Sequence, residues 1–180
     1  MSLLGDVIRL SPELREEIRA DAATAYDRVT SFDGVERLEL DWEWKVFAPL
    51  FAAAGFRVNP FRSGALFPDE ETAFGALGDA RSLDPDQVVE ASDLLEQTPF
   101  TVLVPRLRDA LVERDTVRVD FDRESPTYGR PLPLQRIVTP TFSDEQVESY
   151  RIRLADRYDD LTNFYRAAAR HGQCTIFWAA

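Results

Sequence analysis

The sequence predicts a single α+β domain, in which one mixed or mostly antiparallel sheet that includes both chain ends is covered by several helices. Three observations support this fold class. An apolar stretch at residues 3–10 runs into a helix signal at Ser11-Pro12, residues 116–120 alternate between apolar and charged side chains, and a long amphipathic segment precedes an apolar stretch at residues 174–178. The length of 180 residues suits one core, so we expect one domain over residues 1–180.

The first elements are a strand at residues 3–10 and a helix that begins after it. Ser11 is a suitable N-cap and Pro12 suits the first helical position. Apolar residues then recur at spacings of four and three, which predicts an amphipathic helix from 12 to about 29; they are Leu14, Ile18, Ala22, Tyr26 and Val29.

A second helix is predicted from about residue 41 to residue 54. Trp44, Phe47 and Phe51 share one face of it, and Gly55 suits the position after its end. Pro49 lies inside this segment, and because proline removes a helical hydrogen bond, we expect a kink or a break there.

Residues 55–83 contain six Gly or Pro and little periodicity, which predicts a long, partly irregular connection. Asp84, Pro85 and Gln87 then form a capping-box pattern that opens a helix to about residue 97. The chain restarts as another helix at Thr98-Pro99, which Pro105 divides.

The last third holds a half-exposed strand at 116–120 and a proline-rich surface excursion at about 115–142, which together form the variable part of the domain. Ser143 and Gln146 then form a capping box. The long C-terminal helix that follows has a length of about 40 Å at 1.5 Å per residue. His171 and Gly172 end it, and residues 174–178 are apolar on both faces, as in a buried central strand.

The composition excludes several function classes. The net charge is −11, and the arginines are interleaved with carboxylates, which argues against nucleic acid as a ligand. There is one cysteine, no signal-peptide pattern at the start and no apolar run long enough for a membrane helix. We therefore expect a cytoplasmic protein with no membrane association.

Three segments resemble the YfbM-like family of uncharacterised bacterial proteins: LELDWEW, GDARSLDPDQV and YDDLTNFYRAAARHGQCTIFWAA. The resemblance covers most of the chain except about 115–142. Leu40, Asp41 and Trp44 match a Leu-Asp-Lys-x-Trp motif, with Trp42 in place of the lysine. The family's histidine after this motif is absent, since Phe47 and Ala48 occupy that region.

A second family motif, Arg-x-Leu-x-Pro-x-x-Val, is matched by Arg81, Leu83, Pro85 and Val88. The resemblance implies a fold and marks these positions. It implies no activity, because the family is a domain of unknown function.

Known catalytic and metal-binding patterns are missing from the sequence. One histidine and one cysteine are too few for a zinc site, and the carboxylate runs lack the spacing of a calcium loop. The pair His171 and Cys174 is explained by helix capping and strand burial. No nucleophile elbow or nucleotide-binding loop occurs. The sequence thus predicts no catalytic residue, no metal and no cofactor.

Four residues are the binding candidates: Asp41, Trp42, Trp44 and Arg81. Two interpretations of Asp41 and Arg81 are possible. Either Asp41 is an N-cap and Arg81 braces a loop, or the two residues form a functional pair. In a helix, Trp42 lies about 200° around from Trp44 and needs a partner of its own. This partner is either the loop at 56–67 or another protein, for which an exposed tryptophan is a typical hot spot.

Two functions follow from these residues. The first is a non-enzymatic, acidic interaction or accessory protein, such as an immunity or antitoxin-like binder of a basic protein. The alternative is a small enzyme that uses carboxylate, Arg and Tyr chemistry in a cleft near Asp41 and Arg81. The sequence gives neither the partner, the substrate nor the oligomeric state.

Overall fold

The computed structural model describes residues 4–31, 35–69, 74, 80–120 and 135–179, with the backbone alone at 117–120 and 135–138. Its main sheet has five strands in the order β2-β1-β7-β4-β3, and all four pairings are antiparallel. The strands are β1 (Gly5–Leu10), β2 (Glu36–Asp41), β3 (Ala65–Phe67), β4 (Ala80–Leu83) and β7 (Cys174–Ala179). The predicted fold class is confirmed, since strands from both ends of the chain lie in this sheet.

Helices cover the sheet on both faces. They are α1 (Pro12–Arg19), α2 (Ala25–Ser31), α3 (Trp44–Ala53), α4 (Pro85–Gln97), α5 (Phe100–Leu103), α6 (Leu107–Asp115) and α7 (Asp144–Arg170). Val7 and Phe177 pack with the helices α3 to α7 on one face, and Ile8 and Ile176 pack with α1 and α2 on the other. The strands β5 (Val117–Asp120) and β6 (Gln135–Val138) form a separate antiparallel pair.

Capping signals located two helices correctly. Asp84 with Gln87 and Ser143 with Gln146 each form a capping box, at the starts of α4 and α7. Gly172 follows the end of α7 with a φ of 60°, and the strand after it, β7, is buried at the centre of the sheet. These elements depend on local residues, which is why the sequence predicted them.

Three element predictions differ from the structure. The helix expected over 12–29 is interrupted at Asp21, where the side chain accepts a hydrogen bond from the Thr24 hydroxyl and competes with helical bonding. The helix expected from residue 41 starts at Trp44, because 36–41 form β2. The connection 55–83 contains the short strands β3 and β4.

Pro49 does not end α3. The helix continues from Trp44 to Ala53, although Pro49 cannot bond to the carbonyl of Lys45. All six consecutive residues from 46 to 51 are buried in the core, and this burial stabilises the helix despite the missing bond. Gly55, with a φ of 81°, terminates the helix as predicted.

No helix of the described residues is both long and apolar enough to cross a bilayer. The longest, α7, carries charged residues along its exposed side.

Candidate functional site

Asp41 ends β2 in an unusual backbone conformation. Its φ is 47°, and within the described part of the chain it is the one residue other than glycine with a positive φ. Aspartate tolerates this region better than most residues, and such strain concentrates at functional sites. A bulge between Gly5 and Asp6 in the pairing of β1 with β2 leaves Leu40 as an extra residue. The Glu43 amide donates to the Leu40 carbonyl at 2.8 Å, so the chain turns within two residues from β2 into α3.

Trp42 packs against α6 and α7 in a group that we call the arginine–tryptophan cluster, defined as Trp42, Arg114, Tyr150 and Arg153. The Cζ atoms of Arg114 and Arg153 lie 4.6 and 4.8 Å from its ring centroid. The Tyr150 ring contacts it edge to face at 5.4 Å. Such stacking is favourable for guanidinium groups on indole rings. The expectation that Trp42 packs on the loop at 56–67 is therefore wrong.

Glu43 anchors the start of α3 to α7. Its side chain is 0% exposed. Oε1 accepts a hydrogen bond from Arg153 Nε at 3.0 Å and lies 2.8 Å from Arg153 Nη2. The Nε atom of Arg157 lies 3.8 Å from the same oxygen. Oε2 is buried and has no hydrogen-bond partner among the described residues. A buried carboxylate needs such paired arginines to offset its desolvation.

A cavity of about 220 Å³ lies beside Asp41, at the end of β2, and we call it the edge cavity. Its lining residues come from both faces of the sheet. Asp6 and Arg37 lie on the face of Trp178, whereas Arg157 belongs to α7 on the opposite face. The edge cavity therefore has contributions from both faces at this end of the sheet; its full lining is Leu4, Gly5, Asp6, Arg37, Glu39, Asp41 and Arg157.

Carboxylates outnumber arginines in the edge cavity by three to two. Asp6 is buried and accepts from Arg37 Nε at 2.9 Å and Nη2 at 2.8 Å. Burial nevertheless raises the pKa of Asp6 above its ordinary value, and the bond and charge of Arg37 only partly oppose this. Glu39 and Asp41 are more accessible, with side chains 77% and 44% exposed.

These two accessible carboxylates keep free acceptor capacity. Glu39 lies 3.9 Å from Arg37, and Asp41 Oδ2 lies 3.5 Å from Arg153 Nη2, both longer than a strong charge-assisted hydrogen bond. The arrangement therefore suits a cationic group that enters from solvent and replaces water at both oxygens.

Trp44 and Arg81, the other binding candidates, lie outside the edge cavity lining. The Trp44 indole packs directly on Gly5, where an added Cβ would come within 2.2 Å of the ring, and its centroid is 5.3 Å from that of Phe177. Trp44 is half-buried against the main core and supports the cavity wall at Gly5 from that side.

Arg81 lies on β4, which β7 and β1 separate from β2. With a spacing of about 4.8 Å per strand, Asp41 and Arg81 are on the order of 14 Å apart across the sheet. Arg81 Nη1 donates to the Gly64 carbonyl at 3.1 Å. It braces a loop, as one reading predicted, but not through Asp41, and the two residues do not share a cleft.

Most contributors to the site were missed in the sequence, among them Glu39, Glu43, Arg153 and Arg157. Glu39 follows a Glu-Leu alternation that indicates a strand, and this signal was available in the sequence. The two arginines lie four residues apart on α7, so their shared face was predictable, but their placement against Asp41 and Glu43 depends on the topology.

The pair His171 and Cys174 does not form a nucleophile and base. Cys174 is buried in β7, and burial raises the pKa of its thiol, with a smaller opposing effect of Arg15. His171 is exposed, and its Nδ1 lies 2.9 Å from the Ala167 carbonyl. The described residues also contain no group of three or more His, Cys, Asp or Glu that could hold a metal ion.

A second cavity, of about 290 Å³, lies between α3 and α6. Its floor is apolar, from Pro49, Leu50, Ala53 and Ala110. Its rim carries Asp109 and Glu113, together with Arg106, which donates to the Ala53 carbonyl.

Comparison with known proteins identifies the fold. The crystal structure of a protein of unknown function, YfbM from Escherichia coli, matches this chain with a TM-score of 0.60 and 15% sequence identity. The match covers 98% of this chain and 99% of that one. No family model matches the chain. No curated protein matches it either. The likeness to YfbM confirms the fold that the sequence resemblance implied, and at this identity it carries no statement about activity.

Proposed function

We propose that the protein is a non-catalytic binding protein that holds a cationic side chain of a basic protein partner in the edge cavity. One observation carries this proposal: Glu39 and Asp41 both line this cavity and keep free acceptor capacity. The positive φ of Asp41 supports it, because the fold tolerates backbone strain at the residue that presents this carboxylate.

The size of the edge cavity favours a side chain over a larger ligand. Pockets for drug-sized molecules and cofactors begin at roughly 300 Å³, whereas the edge cavity holds about 220 Å³. A lysine or arginine stem can lie along Leu4 and Gly5, while its charged end reaches Glu39 and Asp41. This placement leaves the bond between Asp6 and Arg37 intact.

The whole molecule contributes to the same preference. A net charge of −11 attracts a basic protein and accelerates encounter at low ionic strength. An immunity or antitoxin-like binder of a basic protein is the class of function that fits this charge and this cavity.

A peptide titration tests the cavity. The probe is acetyl-Gly-Arg-Gly-amide, and its neutral control is acetyl-Gly-Gln-Gly-amide, each added to ¹⁵N-labelled protein at low salt. We expect saturable shifts of the Gly5, Glu39 and Asp41 amides with the arginine peptide alone. The double variant Glu39→Gln/Asp41→Asn should bind it at least tenfold more weakly, and asparagine keeps the positive φ accessible at position 41.

A matched control separates the cavity from the general charge of the protein. The double variant Glu90→Gln/Asp93→Asn removes the same two charges from α4, where Asp93 is exposed and Glu90 is half-buried beside the exposed Arg57. It should bind the arginine peptide as the wild type does. In a pull-down from native cells, basic proteins should be retained by this control and lost from the cavity variant. Equal losses in both variants would show non-specific attraction and refute the proposal.

A further inference from the structure

The outer side of β2 is a free edge of the main sheet among the described residues. β2 stands at one end of the sheet order, and its pairing partner is β1. Within the ranges that the structure describes, no strand pairs with its other side. An edge strand presents unpaired backbone N–H and C=O groups, which another extended segment can use.

The side chains of β2 keep this edge accessible and make it selective. Glu36, Arg37 and Glu39 are exposed, and Asp41 is half-buried, so the strand carries a net acidic charge. Such charges discourage pairing between two copies of the same acidic edge. Pairing with a basic segment is favoured instead, because oppositely charged cross-strand neighbours stabilise strand pairing.

The edge cavity lies at the end of the same strand. Its lining includes Glu39 and Asp41 of β2 and residues 4–6 at the start of β1, which pairs with this end of β2. A segment that runs along the outer side of β2 as far as Asp41 would therefore bring a side chain next to the edge cavity. A helix placed there would leave the edge groups of β2 without partners, since its own backbone groups bond internally.

We infer that the partner presents an extended basic segment, which pairs with the outer edge of β2 as a sixth strand and inserts a lysine or arginine into the edge cavity. This inference rests on the proposed function and adds the conformation of the partner to it. The main-chain bonds would supply affinity, and Glu39 and Asp41 would select the basic side chain.

The test compares two peptides of the same charge. The first is acetyl-Thr-Lys-Thr-Arg-Thr-Lys-Thr-amide. The second carries N-methyl groups on alternate residues. It is prepared in two versions, one methylated at odd and one at even positions, so that in one version the amides that would donate to β2 are blocked. Amide hydrogen exchange of Glu36–Asp41 and the dissociation constants are measured by NMR.

The expected result is at least tenfold slower exchange of alternate amides in β2 with the first peptide. One methylated version should bind at least tenfold more weakly and lose this protection. If all peptides bind equally and shift Asp41 without protecting β2, edge pairing is wrong and the cavity proposal stands. If none of them binds, both proposals are refuted. The variant Glu90→Gln/Asp93→Asn should behave as the wild type throughout.

Discussion

Two aliphatic residues on α7 should respond very differently to truncation. Leu154 is 0% exposed within the main core, whereas Ile152, two positions earlier on the same helix, is 57% exposed. Leu154→Ala removes buried methyl groups and leaves a cavity, because the aromatic and aliphatic neighbours relax only in part. Such changes cost about 2–5 kcal/mol of unfolding free energy.

The control variant isolates the effect of burial. Ile152→Ala removes a similar number of aliphatic carbons from the solvent side of α7. The free energy of unfolding should therefore change by no more than about 0.5 kcal/mol. Alanine also has the higher helix propensity, by a few tenths of a kcal/mol, so a slight stabilisation is expected. Because both variants share one helix, differences in helix formation between them are small beside the loss expected for Leu154→Ala.

Equilibrium unfolding in urea, followed by tryptophan fluorescence, measures the free energy of unfolding of both variants, and thermal unfolding measures their melting temperatures. For a chain of this size, 1 kcal/mol corresponds to roughly 2–4 °C, so the melting temperature of Leu154→Ala should fall by about 4–20 °C. A loss below about 1 kcal/mol, or an equal loss for Ile152→Ala, would show that the apolar stripe of α7 does not face the core.

Three further predictions concern single side chains. Cys174 should react with a thiol reagent orders of magnitude more slowly in the native protein than in denaturant, because it is buried and its pKa is raised; rapid native labelling would contradict its place in β7. Burial raises the pKa of Asp6 above 3.8, so at this residue the folded chain binds more protons than the unfolded chain does. The stability of the wild type relative to Asp6→Asn should therefore fall as the pH rises from about 3.8 through the raised pKa. Urea melts between about pH 3.5 and 7 in which this difference stays flat or rises would refute the prediction. Arg81→Met should cost about 1–3 kcal/mol in the same melts by leaving the Gly64 carbonyl unsatisfied, and Arg81→Lys less, because one bond is made there and not a fork; an unchanged stability of Arg81→Met would refute bracing.

The sequence predicted elements that depend on neighbouring residues and missed those that depend on distant ones. The capping boxes at Asp84 and Ser143 act within one turn, so they were readable. β3 and β4 have three and four residues, and their existence depends on pairing with each other and with β7. Nothing local marks strands as short as these.

The site shows the same division. Asp41 and Trp42 were singled out from the sequence, and both lie at the turn from β2 to α3. The grouping with Arg81 was wrong, because it assumed that two motif residues meet in space. The strand order separates them, whereas Arg153 reaches Asp41 across 112 positions of the chain only because α7 packs beside β2.

Under the proposed function, the geometry around Glu43 would let Asp41 bind a cation without disrupting its surroundings. Arg153 contacts two carboxylates, but it lies 2.8 Å from Glu43 and 3.5 Å from Asp41. A cation that approaches Asp41 therefore competes with the longer of the two contacts only. Glu43 is buried and holds Arg153 and Arg157 in place, so the guanidinium groups do not follow the ligand. The ion pairs with Glu43 thus hold the arginines, and the strained turn leaves the Asp41 carboxylate half-exposed and available to the partner that we propose.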